Sequence, residues 1–77
     1  MRINVILHSI LRDRLPAEAK GRSMLDVPDG SAIQDVISTL QLPEPVVSSV
    51  NGVLNRDHGS LLQEGDELRF FRPGAGG

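Results

Sequence analysis

The chain has 77 residues, which is enough for one domain with a small core. It contains no cysteine, and this excludes disulfides, thiolate metal sites and a thiol nucleophile. Ten acidic and eight basic residues give a net charge of -2 without a basic cluster, and no apolar run is long enough for a signal peptide or a membrane span. We therefore expect a cytoplasmic protein that binds neither nucleic acid nor a membrane.

The first part of the chain predicts two strands joined by a loop. Residues 2–8 alternate between apolar and polar side chains, as in a half-buried strand. Residues 9–22 predict a loop with one helical turn at 10–14, and residues 23–28 predict a second short strand before the turn at Asp29-Gly30. The predicted inward positions are Ile3, Val5, Leu7, Leu25 and Val27.

A helix is predicted after this turn. Ser31 is a good N-cap residue, and Gln34 follows at the spacing of a capping box. Pro43 and Pro45 end the helical pattern. The apolar stripe consists of Ile33, Val36, Ile37 and Leu40.

The last part of the chain predicts a hairpin and a final strand. Asn51-Gly52, between valine-rich segments, is the strongest two-residue hairpin signal. Residues 55–64 predict an irregular connection, and residues 67–72 predict a strand with Leu68 and Phe70 facing inward.

The predicted order of elements is strand, strand, helix, strand pair, strand. If the first and last strands pair centrally, this order gives an α+β protein with a mixed sheet of about five strands and one main helix. That arrangement is the β-grasp, or ubiquitin-like, fold. We expect residues 1–73 to form this domain and residues 74–77 to form a flexible tail.

The tail is the segment whose composition points most directly to chemistry. It consists of Gly74, Ala75, Gly76 and Gly77, so it could thread a channel too narrow for ordinary side chains. Another protein could then use ATP to activate the unhindered Gly77 carboxylate. The alternative is a frayed terminus or a cloning remnant.

We expect neither a catalytic group nor a metal site within the domain. His8 and His58 are isolated, with no Asp, Glu or Cys at metal-binding spacing. Ser31 and Asp35 are explained by helix capping and a solvated helix face.

The outward face of the sheet predicts a partner surface. Strand alternation places Ile6 and His8 of the first strand, and Arg69 and Phe71 of the last strand, on this face. An exposed Phe beside an Ile suggests a contact with another protein, flanked by Arg69 and Arg72. The alternative is that a loop covers Phe71 or that Phe71 is exposed without a function.

The chain resembles the MoaD/ThiS family of ubiquitin-like sulfur carriers. The resemblance covers most of the chain and is most specific from Gly65 to Gly77. The length of the connection at 9–22 favours the molybdopterin branch over the thiamine branch. The residues that carry the resemblance are Ile3–Leu7, Leu11–Asp13, Val50–Gly52, Leu62, Gly65–Leu68, Phe70, Phe71, Pro73, Gly76 and Gly77.

The resemblance implies a carrier protein that is not itself an enzyme. A partner adenylyltransferase would use ATP to adenylate Gly77, and a sulfur donor would convert the adenylate to a thiocarboxylate. A sulfur-accepting synthase subunit would then receive the sulfur, most simply for molybdopterin, while the carrier itself binds no cofactor and no metal. By resemblance, His8, Leu54 and Phe71 match positions that bind the partners.

Three alternatives remain open from the sequence. The chain could be a thiamine-type or other sulfur carrier, or a modifier that becomes joined to lysines through Gly77. It could also be a non-covalent β-grasp interaction module whose Gly-Gly end is incidental. A carrier and a modifier share the activation step, so the sequence does not separate them.

Overall fold

Five strands and one α-helix form the regular structure of residues 1–73, the part of the chain that this computed structural model describes. Two 3₁₀ helices, Ser9–Arg14 and Ala17–Ala19, occupy the predicted loop after the first strand. The predicted order of elements is confirmed. The elements are β1 (Arg2–Leu7), β2 (Arg22–Asp26), α1 (Ile33–Leu40), β3 (Val47–Val50), β4 (Val53–Asn55) and β5 (Glu67–Phe71).

The strands form one mixed sheet in the order β2-β1-β5-β3-β4. The central strands β1 and β5 are parallel, and every other neighbouring pair is antiparallel. The hairpins β1–β2 and β3–β4 pair strands that are consecutive in the chain, and β5 lies between them, next to β1 and β3. The predicted central pairing of the first and last strands is therefore confirmed, and the fold is the β-grasp.

The core lies between one face of the sheet and α1. Leu68 and Phe70 of β5 are buried there, and so is the predicted inward face of β1. Leu40, at the end of α1, is only partly buried. Alternation along the strands and the 3.6-residue period of the helix thus bring the apolar sets together. The buried cluster is Ile3, Val5, Leu7, Leu11, Ile33, Val36, Ile37, Leu42, Val46, Leu62, Leu68 and Phe70.

The predicted cap of α1 is wrong by one residue. The N-cap is Ala32, and its backbone N–H donates to the Asp35 carboxylate at 2.7 Å. Ser31 instead donates its hydroxyl to the Pro28 carbonyl at 2.7 Å, so it closes the preceding turn. Gln34 is exposed, and no side-chain hydrogen bond of Gln34 is found within residues 1–73.

The connection after β1 is held close to the sheet at Gly21. The Leu7 backbone N–H donates to the Gly21 carbonyl at 2.7 Å. Gly21 has a φ of +78°, and a Cβ there would lie 2.7 Å from the Leu7 carbonyl oxygen. Glycine is therefore required by both the backbone conformation and the space. β2 begins directly after it, one residue earlier than predicted, and ends at Asp26.

Candidate functional site

The candidate tail residues Gly74, Ala75, Gly76 and Gly77 lie outside the described residues. The described chain ends with Arg72 and Pro73, directly after β5. Because β1 and β5 are parallel, the carboxyl end of β5 lies at the same sheet end as the carboxyl end of β1. His8 follows β1 there, and its backbone N–H donates to the Phe70 carbonyl at 3.2 Å.

A row of side chains crosses the sheet on the face opposite α1. The register pairs Leu54 of β4 with Ser49 of β3, and Ser49 with Arg69 of β5. Arg69 is paired with Ile6 of β1, and Ile6 with Arg22 of β2. Three of the predicted partner-binding residues, Ile6, Leu54 and Arg69, therefore share one row, which we call the open-face row.

Ile6 lies on the predicted face, and the structure shows it to be buried there. Its relative exposure is only 7%. Its cross-strand neighbours in the open-face row are Arg22 and Arg69. Leu54, at the edge of the sheet, is 52% exposed and remains available as an apolar contact.

His8 and Phe71 form a stacked pair at one end of the open face. Their ring centroids are 4.7 Å apart, and the planes differ by 8°. Phe71 lies across from Val47 of β3, on the same face as Arg69. The predicted position of Phe71 on the open face beside His8 is confirmed. The ring is half-buried, because one of its faces packs on the imidazole.

The surroundings of His8 favour a neutral imidazole. Burial lowers the pKa of His8 from its ordinary value, and Arg69, Arg12 and Arg22 lower that pKa further in this order. The Nε2 atom is buried and has no hydrogen-bond partner within residues 1–73. A protonated ring would need a partner for this nitrogen, so the geometry and the charges act in the same direction.

Arg69 and Arg72 are both only partly exposed. The Nε of Arg69 lies 3.0 Å from a carboxylate oxygen of Glu67, two residues earlier on the same face. Arg72 follows β5 and lies beyond the paired register. The predicted patch thus consists of Leu54, Arg69, His8 and Phe71 on one face, with Arg72 at the exit towards the tail.

Two arginines near this patch were missed by the sequence reasoning. Arg22 is the first residue of β2 and belongs to the open-face row. Arg12, from the first 3₁₀ helix, crosses over Gly21, since a Cβ on Gly21 would lie 3.0 Å from Arg12 Cγ and Nε. Alternation along β2 could have indicated Arg22, whereas no local pattern indicated the direction of Arg12.

Residues 1–73 contain no group of three or more His, Cys, Asp or Glu side chains that could hold a metal ion. Among the helices of this described part, none has the length and apolarity that crossing a bilayer would require. The arrangement instead offers an aromatic and arginine-lined surface next to the segment that leads to the tail. Such a surface is suited to contact with another protein.

Comparison with known proteins gives one family and a set of structural neighbours. The ThiS family model matches residues 14–77. Among curated proteins, no significant match is found. The family match begins after β1, and it includes α1, the strands β2 to β5 and the terminal Gly76-Gly77.

Three solved structures of similar fold cover nearly the whole chain. SAMP1 from Haloferax volcanii is 20% identical, with a TM-score of 0.75 and full coverage of both chains. A second structure, of H. volcanii small archaeal modifier protein 1, is 18% identical, with a TM-score of 0.74 and coverage of 94% of this chain and 97% of that one. A Pyrococcus furiosus protein assigned as molybdopterin converting factor, subunit 1, is 20% identical, with a TM-score of 0.74 and coverage of 95% and 98%. At these identities the likeness shows the shared β-grasp fold.

Proposed function

The chain belongs to the ThiS family of ubiquitin-like sulfur carriers, and on this basis we propose that it carries sulfur as a thiocarboxylate on Gly77. The observation that carries the proposal is that the family match extends through the terminal Gly76-Gly77. The small side chains of the tail fit the proposal, because they leave the carboxylate unhindered.

The proposed chemistry has two steps at the Gly77 carboxylate. In the first, a carboxylate oxygen attacks the α-phosphorus of ATP in a partner adenylyltransferase, which forms the acyl-adenylate and releases pyrophosphate. In the second, a sulfide sulfur attacks the acyl carbon, the bond to AMP breaks, and the thiocarboxylate forms with loss of a proton. The chain is therefore a substrate in both steps. ATP is bound by the partner, and the carrier itself holds no cofactor.

We propose molybdopterin biosynthesis as the pathway, with a sulfur-accepting synthase subunit as the second partner. Support comes from the adjacent Phe70 and Phe71 followed by Pro73, and from the long connection between β1 and β2. The structural likeness to the Pyrococcus furiosus protein is in keeping with this choice.

The open face is the proposed surface for the adenylyltransferase. Phe71 and Leu54 would supply apolar contacts, and Arg69 and Arg72 would supply charge at the edge. His8 would act through Phe71, because the stack fixes the orientation of that ring. If the adenylyltransferase binds the open face, the carboxyl end of β5 would lie next to the partner. Delivery of the tail into the partner's ATP site requires this position.

The proposal is tested by mass spectrometry of the full chain after incubation with ATP, an adenylyltransferase of the family and a sulfide source. We expect a mass gain equal to the exchange of one oxygen for one sulfur at the C-terminus. A chain without Gly76-Gly77 should show no gain while keeping the thermal melt of the parent, since a terminal tail contributes little to the core. An unchanged mass of the full chain with several such enzymes would count against the carrier function.

A protein modifier is the second candidate function, and the likeness to small archaeal modifier protein 1 favours it. A modifier uses the same acyl-adenylate, but a lysine amine attacks the acyl carbon and an isopeptide bond forms. Expression of a tagged chain with and without the terminal glycines separates the two functions. Glycine-dependent conjugates of higher mass would indicate a modifier, whereas a thiocarboxylate without conjugates would indicate a carrier.

A further inference from the structure

Basic side chains from three separate elements converge on one end of the open face. Arg22 of β2 and Arg69 of β5 flank Ile6 in the open-face row. Arg12 reaches the same end from the first 3₁₀ helix, where it crosses Gly21. All three arginines lower the pKa of His8, which stacks on Phe71 at this end of the face.

Most of this positive charge is not neutralised within residues 1–73. In that part of the chain, neither Arg12 nor Arg22 forms an ion pair with a carboxylate. Glu67 pairs with Arg69 and offsets its charge in part. Asp13 and Glu18, the carboxylates of the connection after β1, pair with none of the three arginines.

Several of the carboxylates lie at the other end of the sheet. Asp26 pairs with Arg2, Asp29 lies 3.4 Å from the terminal ammonium, and Glu64 accepts a hydrogen bond from the Arg2 backbone. Asp66 accepts hydrogen bonds in the turn before β5. The chain has a net charge of -2, yet the end of the sheet that leads to the tail is basic.

We propose that Arg12, Arg22 and Arg69 form a docking site for an acidic segment of the adenylyltransferase, beside the Phe71 contact. This inference rests on the proposed function, since it assigns the chemistry of that partner. The segment carries Asp or Glu side chains, which the guanidinium groups bind by charge-assisted hydrogen bonds. A negatively charged protein segment fits better than a nucleic acid, because the overall charge of the chain repels a long polyanion while the local charge attracts a short one.

The site also explains the geometry around His8. A stacked aromatic pair with arginines at its edge has the layout of an interface whose apolar centre is surrounded by charge. Ile6 lies between Arg22 and Arg69 in the strand register, so the backbone fixes the spacing at which the two arginines leave the sheet.

The test is an NMR titration of the ¹⁵N-labelled full chain with an oligoglutamate peptide at low salt. We expect saturable shifts of the His8, Arg22 and Arg69 amides, which weaken as salt is added. The variant R12Q/R22Q/R69Q should bind the peptide at least about tenfold more weakly, because three charge contacts are lost. Glutamine keeps much of the aliphatic stem, and the spectrum of the variant reports whether it is folded.

Two matched variants and one opposite peptide serve as controls. Arg2→Gln removes an arginine at the opposite sheet end, and Arg14→Gln removes one from the same 3₁₀ helix as Arg12. Both should bind oligoglutamate as the wild type does, and oligolysine should cause no shifts around His8. Equal affinity of the triple variant and the wild type, or shifts centred elsewhere, would overturn the inference.

The same variants separate this inference from the proposed function. If the wild type gains sulfur at Gly77 and the triple variant shows undiminished affinity for the adenylyltransferase, the docking site is wrong and the carrier function stands. If oligoglutamate binds as expected but no sulfur is added, the basic site exists and the carrier function is wrong.

Discussion

At the scale of single residues, Phe70 and Phe71 lie on opposite faces of the sheet because they are adjacent on one strand. Successive side chains of β5 point to opposite faces of the sheet. Phe70 is fully buried in the core, and Phe71 stacks on His8 on the open face. The alternation predicted both placements. Burial of Ile6 was not predicted, since its neighbours on the sheet, Arg22 and Arg69, come from distant segments.

Replacement of Phe71 by Ala tests the partner surface. Aromatic anchors at interfaces contribute about 2 kcal/mol or more, so binding to the adenylyltransferase should weaken at least about thirtyfold. Loss of the stack with His8 should cost about 0.5–1.5 kcal/mol of folding stability, which leaves the domain folded. Calorimetric titration and a thermal melt measure the two effects.

Val53→Ala is the matched control for that experiment. Val53 is 69% exposed on the edge strand β4, and its register with Val50 places it on the opposite face from Leu54. The Val53→Ala variant should bind the adenylyltransferase as the wild type does. Collapse of the melt in Phe71→Ala would instead assign Phe71 to the core.

The lowered pKa of His8 predicts a pH dependence of stability. The unfolded chain, with a histidine pKa of about 6.5, takes up the proton before the folded chain as the pH falls. Stability from neutral His8 is therefore complete above about pH 6.5 and is lost as the pH falls from there towards the folded pKa. Denaturant unfolding at a series of pH values should show a smaller loss below pH 6.5 for His8→Gln than for the wild type. An NMR titration of His8 that gives a pKa at or above 6.5 would contradict this prediction.

At the scale of elements, the start of α1 shows how a local pattern can be shifted by its surroundings. Ser31 and Gln34 have the spacing of a capping box, but the Ser31 hydroxyl donates to the Pro28 carbonyl in the preceding turn. The backbone of Ala32 then enters an extended conformation, and Asp35 accepts its N–H. The carboxylate also lies in the first turn, where the helix dipole favours negative charge.

Asp35→Ala should therefore destabilise the domain by about 0.5–1 kcal/mol. Gln34→Ala is the matched control, because Gln34 is exposed in the same helical turn and alanine has a slightly better helix propensity. Urea unfolding of both variants gives the comparison. A larger loss of unfolding free energy for Gln34→Ala than for Asp35→Ala would support the Ser31–Gln34 capping box predicted from the sequence.

The connection between β1 and β2 illustrates a second limit at this scale. Its polar composition with Pro16 and Gly21 predicted a loop, and the single helical turn expected at 10–14 falls within Ser9–Arg14. The way this segment folds back was not predictable. It depends on the hydrogen bond between Leu7, at the end of β1, and Gly21, directly before β2.

At the scale of the whole molecule, the sheet and α1 depend on one shared apolar layer. Phe70 lies in this layer with 0% exposure, beside the inward residues of β1 and α1. Phe70→Ala should cost about 3–5 kcal/mol, a large part of the stability of a small domain. A denaturant midpoint much lower than that of Phe71→Ala would support this assignment. Equal midpoints for the two variants would mean that the two faces of β5 are not distinguished as described.

The sequence by itself determined the order of elements, the inward faces of β1 and β5 and the family. Those features depend on alternation, helical period, turn residues and a terminal motif, all of which are local in the chain. The tertiary structure decided the cap of α1, the burial of Ile6 and the placement of Arg12, Arg22 and Arg69 at one end of the open face. The cap is local in the chain, but it was decided by the turn at Pro28, which takes the Ser31 hydroxyl. The burial of Ile6 and the placement of the arginines join segments far apart in sequence, so they follow from strand register and packing rather than from any local pattern.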